Sequence, residues 1–183
     1  MRNAYYIGNF TAIRCIAMFI GLTLANFASD LVIADTNNNN TINVEITTHL
    51  GDKQTFKEDD RLSFLVSLDR DAYLLMIYED AAHNLIQVIP NRYRDSNHYQ
   101  AGLFVSVPNR EEPFRFVVTP PFGKETLWVF AADKPFPTLQ GVTFDNGLKK
   151  LTEARSVIFS RIRSNQYRSL YGESNTTIFT EAK

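Results

Sequence analysis

The chain has 183 residues, with 19 Lys plus Arg against 20 Asp plus Glu, 44% hydrophobic and 13% aromatic residues, and one cysteine. This is the composition of a globular chain; it excludes disordered and collagen-like classes and lacks the basic excess of a nucleic-acid scaffold. A single cysteine excludes an internal disulfide and a multi-cysteine metal site.

Arg2 and Arg14 are the only charges before Asp30, and Cys15 to Ala28 reads CIAMFIGLTLANFA. A basic start, a short apolar stretch and small residues make a secretory signal peptide. The stretch is shorter than the about 20 apolar residues of a membrane span. Residues 1–34 are therefore expected to be a signal cut after Ala34, with Ala25 and Ala28 as alternative sites. Left uncleaved, residues 15–28 would anchor the protein at the inner membrane. Ile13 and Arg14 before Cys15 do not make a lipobox. After cleavage no cysteine and no stable transmembrane span remain, which suits a periplasmic or otherwise exported bacterial protein. Roughly 150 residues can bury about two-thirds of the unfolded surface, so one domain over 41–183 is expected after an Asn-rich spacer.

From Ile42 the apolar period is two: Ile42, Val44 and Ile46 alternate with polar residues, as in a half-buried strand. LSFLVSL (62–68) and AYLLMIY (72–78) flank Asp69-Arg70-Asp71 and read as a hairpin. In the second run both faces are apolar, which predicts a central strand packed on both sides. Leu85–Ile89 is the next strand, ended by Pro90 because proline lacks a donor. LFVSV (103–107), FRFVVT (114–119) and TLWVFAA (126–132) continue the alternation, and TTIFT (176–180) is a last short strand. Between them, Leu148, Leu151, Arg155, Ile158 and Ile162 recur every three or four residues, the stripe of an amphipathic helix. Its expected span is about 147–164, capped by Asp145 or Asn146 and braced by Lys149 with Glu153. The predicted fold is mostly β: a β-sandwich or partly open barrel of about seven to eight strands, with one C-terminal amphipathic helix packed against it.

Four segments recur in a family order: DDRLSFLVSLDRDAYLLMIYEDAAHN (59–84), LIQVIPN (85–91), SNHYQAGLFVSVP (96–108) and PFGKETLWVFAADKPF (121–136). The ordered set resembles the bacterial family catalogued as domain of unknown function 4384. The resemblance implies an all-β module, often exported or fused to other domains, and supplies no catalytic residues. Ala72 and Asn84 stand where that family commonly has glycine. Read physically, Asp69 and Asp71 accept local backbone donors in a turn. Tyr73 packs its ring inward, Pro90, Asn91 and Gly102 bracket a crossing loop, and Pro121, Phe122 and Gly123 form a corner whose Phe plugs the core.

No H-E-x-x-H, G-x-S-x-G or P-loop is present. His49, His83 and His98 lie at strand ends and turns and share no spacing, so no metal site and no cofactor are expected. The acidic pairs near strand ends read as turn residues, Glu111-Glu112 reads as solvated surface, and Asp71 with Glu125 is the carboxylate pair left open for hydrolysis. Arg92, Tyr93, Arg94 and Tyr99 bring binding-hot-spot residue types together in one loop, and Phe136 between two prolines is a second candidate anchor or a lid. These features point to an exported, non-enzymatic binding or accessory module of the cell envelope. Its expected partner is another envelope protein or an envelope polymer, with no nucleic acid. The alternatives are a carrier of a small apolar ligand or lipid, and a hydrolase whose site assembles only in three dimensions.

Overall fold

The computed structural model describes residues 40–51, 55–164 and 169–183. The expected signal peptide, its cleavage site and residues 15–28 lie outside the described residues. In chain order the elements are β1 (Val44–Thr48), β2 (Thr55–Lys57), β3 (Arg61–Leu62), β4 (Phe64–Leu68), β5 (Ala72–Glu79), β6 (Leu85–Ile89) and β7 (His98–Tyr99). They continue with β8 (Val105–Val107), β9 (Phe116–Val117), β10 (Lys124–Ala132), β11 (Gly141–Thr143), β12 (Lys149–Leu151), α1 (Arg155–Arg163) and β13 (Tyr171–Glu181). A large sheet runs β11-β12-β6-β5-β10-β13-β2, and β7 pairs with the start of β5. A small sheet runs β1-β4-β8, and β3 pairs with β9 alone. No barrel closes among the described residues, and none of their helices is long and apolar enough to cross a membrane.

Three layers result, and the alternation of the two central strands builds them. On β5, Leu74 and Met76 face one core, which they share with Phe64, Val66 and Leu68 of β4 and Val105 and Val107 of β8. Leu75 and Ile77 face the opposite core, with Ile158, Phe159 and Ile162 of α1. β10 divides the same way: Leu127 and Val129 face the small sheet, while Trp128 and Phe130 face the helix. A strand buried on both faces must be apolar at nearly every position, as these two are. β4 buries only Phe64, Val66 and Leu68, so its burial alternates, with Leu65 and Ser67 on the less buried face.

The expected hairpin of β4 and β5 does not form, because the two strands belong to different sheets. Alternation fixes which face of a strand is buried; it leaves the neighbouring strand open. Asp69-Arg70-Asp71 instead carries the chain from one sheet to the other, tied down by distant partners. Asp69 accepts from the backbone N–H and the amide of Asn43 at 2.8 and 3.0 Å, and Asp71 accepts from the Ala101 N–H at 2.8 Å. Gly102 (φ 73) then donates its N–H to Leu68 at 2.9 Å. Tyr73 is half-buried, its ring 4.7 Å from that of His98. In the β5–β6 turn the left-handed residue is His83 (φ 63), and Asp80 accepts from the N–H groups of Ala82 and Asn84.

The helix is shorter than expected. Asn146-Gly147 is a hairpin signal, here turning β11 into β12, with Gly147 at φ 85 and the Leu148 N–H donating to Asn146 Oδ1. Leu148 and Leu151 are buried as the stripe requires, but Leu151 lies on a strand and Leu148 leads into it. The helix begins after Ala154, which provides no side-chain cap. Glu153 pairs with Arg161 at 2.5 Å, and Lys149 reaches the Leu139 carbonyl instead. The short TTIFT strand is the C-terminal half of β13, which runs beside β10 for nine residue pairs.

Candidate functional site

The segment joining β6 to β7 and β8 is built around one buried carboxylate. Glu112, expected on the surface, is 3% exposed. Its Oε1 accepts from the Asn91 amide at 3.0 Å; its Oε2 accepts from Arg94 Nη2 at 3.0 Å and from the Asn109 N–H at 2.7 Å. Asn91 is buried as well: its amide also donates to the Val88 carbonyl, and its Oδ1 accepts from the N–H groups of Tyr93 and Arg94. Arg94 further donates to the Ser106 carbonyl on β8 and to the Tyr99 hydroxyl. Burial pushes the Tyr99 phenol up, against the opposing pull of Arg94. A charge-assisted network of this kind fixes a loop's conformation.

The four loop residues picked out from sequence therefore divide into two pairs. Arg94 and Tyr99 brace the loop from within. Arg92 and Tyr93 are exposed, and the Arg92 N–H donates to the Gly147 carbonyl at 3.3 Å. A Cβ on Gly147 would lie 2.6 Å from the Tyr93 ring, so glycine lets that ring settle on the β11–β12 turn. Further along the segment, Leu103 and Phe104 are 57% and 75% exposed. Sequence alternation assigns both to a strand, yet β8 starts only at Val105. They border a shallow groove of about 500 Å³ with Arg94, Tyr99 and Asn109. One braced segment thus presents Arg92, Tyr93, Leu103 and Phe104 to solvent.

The family model described as Domain of unknown function (DUF4384) matches residues 55–135. The match covers less than half of the chain, so the likeness is one of this segment. No match was found among curated proteins, and none among solved structures. The matched segment runs from β2 through β10 and contains the whole Glu112 network. β1, β11 to β13 and α1 lie outside it and complete the two sheets and the helical layer.

The remaining sequence candidates are scattered over the fold. Phe136 is half-buried against the helix-side core, whereas Tyr99 packs against the opposite core, so the two do not share a surface. Phe122 packs on the sandwich core as expected. Gly123 (φ 146) exchanges hydrogen bonds with Thr180 of β13, and Pro121 is exposed beside it. Pro90 is half-buried, its carbonyl accepting from Gln87 at 2.7 Å. Asp71 precedes the start of β5, while Glu125 lies beyond its far end, level with Asp80. At 3.4 Å per residue they are about 30 Å apart, too far to act on one glycosidic bond.

Glu125 itself is buried, accepting from the Tyr78 hydroxyl and, at 3.2 Å, from Thr180. Burial pushes its carboxyl up, partly offset by those two donors, and pushes the Tyr78 phenol up strongly. The other acidic pairs hold turns: Asp60 accepts from the Lys57 N–H, and Asp59 pairs with Lys183 at 2.7 Å. Among the described residues no group of three or more His, Cys, Asp or Glu is placed to hold a metal ion.

On the helix face of the large sheet a pocket of about 220 Å³ escaped the sequence reading. Its floor is two rungs of the sheet: Glu79, Thr126 and Thr177 on one, Trp128 and Asn175 on the next. Residues directly paired across strands point to the same face, so three separate segments meet here. The only sequence signal was the alternation that turned Trp128 away from Leu127.

Proposed function

We propose that this protein is an exported, non-enzymatic binding or accessory module of the bacterial cell envelope. The observation that carries the reading is the segment 91–104, where a buried network at Glu112 holds Arg92, Tyr93, Leu103 and Phe104 exposed on a rigid support. Aromatic, arginine and apolar side chains are residue types of interface centres, one segment exposes all three, and preorganisation lowers the entropic cost of binding. Leu103 and Phe104 favour a protein partner over an envelope polymer. The basic, then apolar, N-terminal stretch supports export to the periplasm, and the absence of cysteine after residue 34 is compatible with it.

The test is crosslinking in cells expressing the full chain with a C-terminal tag, followed by mass spectrometry of bait and prey. One specifically enriched envelope partner is expected, lost from the Arg92→Ala/Tyr93→Ala and Leu103→Ser/Phe104→Ser proteins while their melting temperatures stay at the wild-type value. Retention of every partner by both variants would remove the proposed surface. The N-terminus of the recovered bait reports export: Asp35 is expected, and recovery of intact residues 1–34 in the membrane would replace the periplasmic form by an anchored one.

A further inference from the structure

We propose that the helix-side pocket of the large sheet is a binding site for a small oxyanion, a carboxylate or a phosphate, free or at the end of a longer molecule. It lies on the opposite face of the large sheet from the small sheet and does not depend on the 91–104 segment. Arg155, the first residue of α1, lays its guanidinium 4.8 Å from the centroid of the Trp128 ring and 5.1 Å from that of Phe159. Such stacking holds a cation in place without using its N–H groups. A guanidinium carries five donors. The one polar contact of Arg155 among the described residues is with Glu79, at 3.6 Å. The other oxygen of Glu79 accepts from Trp128 Nε1 at 3.2 Å, and His83 Nδ1 lies 3.0 Å from the first.

Glu79 is 7% exposed and so is a fixed, internally engaged counter-charge that orients the guanidinium, leaving its remaining donors for the pocket. Lys124 and Asn175 stand at the exposed rim and make no side-chain hydrogen bond or ion pair among the described residues. The pocket therefore holds two permanent cations, one carboxylate and uncommitted donors from a guanidinium, an ammonium and an amide. Its surplus is positive and donor-rich, the complement of a small anion. At about 220 Å³ it takes a group of a few heavy atoms, well short of a drug-sized ligand. Arg155, Asn175 and Thr177 lie beyond residue 135, so the site is completed by parts of the chain outside the DUF4384 match.

The experiment is a calorimetric titration of the protein purified from cells expressing the full chain, with inorganic phosphate and with acetate, at constant ionic strength. Saturable binding of at least one is expected. Arg155→Gln should weaken it about tenfold or more and Lys124→Gln several-fold, as loss of charge-assisted hydrogen bonds requires. Glu79→Gln, which keeps an acceptor for the Trp128 N–H but removes the competing charge, should tighten it. Arg110→Gln, a surface change elsewhere, should leave it unchanged. Tighter binding of phosphate would identify a phosphoryl ligand, and tighter binding of acetate a carboxylate. No saturation with either anion, or equal binding by wild type and Arg155→Gln with circular dichroism showing both folded, would overturn the proposal.

Discussion

Replacing Glu112 by Ala withdraws the acceptor of three donors at once: the Arg94 guanidinium, the Asn91 amide and the Asn109 N–H. The Arg94 and Glu112 side chains are 11% and 2% exposed, so water is a poor substitute. Breaking a buried ion pair from one side costs about 3–5 kcal/mol, because the surviving charge stays buried without its partner. In a domain of this size about 1 kcal/mol shifts the melting temperature by roughly 2–4 °C, which gives a fall of roughly 6–20 °C. Thermal and urea unfolding followed by circular dichroism measure it. The double variant Arg94→Met/Glu112→Leu removes both charges and should cost less than either single truncation, a coupling that a double-mutant cycle reads directly. A Glu112→Ala loss under about 1 kcal/mol, the range of exposed pairs, would refute the argument that this network braces the loop.

Three further outcomes follow from the same packing. Burial raises the Glu125 carboxyl above the ordinary glutamate value, so the folded state binds its proton more tightly than the unfolded state does. The stability this contributes is complete below the unfolded value and is lost as pH rises through the raised one. Glu125→Gln should therefore gain on wild type as pH rises across that window in urea titrations, and a pH-independent difference would contradict the assignment. Gly147→Ala forces a side chain onto a φ of 85 and into the Tyr93 ring; it should lower stability by about 1 kcal/mol or more and displace the ring, visible as a change in the Tyr93 aromatic NMR signals. Ile158→Ala should cost about 2–5 kcal/mol in chemical unfolding, because Ile158 is fully buried between α1 and the sheet. Val157→Ala, at a half-exposed neighbouring position, should stay within about 0.5 kcal/mol.

The strands that were legible were those whose patterns record burial. β5 and β10 carry apolar residues on both faces, and both lie inside the large sheet with a core on each side. What alternation does not record is the neighbour, and so β4 and β5 read as a hairpin although the chain changes sheets between them. The helix was overextended because Leu148 and Leu151 are spaced as on a helix and are buried through β12, while Asn146-Gly147 fits a hairpin turn as well as a helix start. Glu112 read as surface because two of its three partners, Arg94 and Asn91, are 18 and 21 residues away. The loop's residue types suggest one binding surface; the folded chain uses Arg94 and Tyr99 to brace the loop and exposes Leu103 and Phe104 further along it. The oxyanion pocket lay beyond any linear pattern, since Glu79, Trp128, Arg155 and Asn175 come from three strands and a helix.

The central claim is that the braced 91–104 segment is the surface through which this protein acts. It is tested most directly by site-specific photo-crosslinking in living cells expressing the full chain, with the photoreactive residue placed in turn at Tyr93, Phe104 and, as a control on the opposite face, Val157. One discrete adduct from Tyr93 and Phe104, absent from Val157, is the expected result. Adducts of equal yield from all three positions, or none from Tyr93 and Phe104, would contradict the claim.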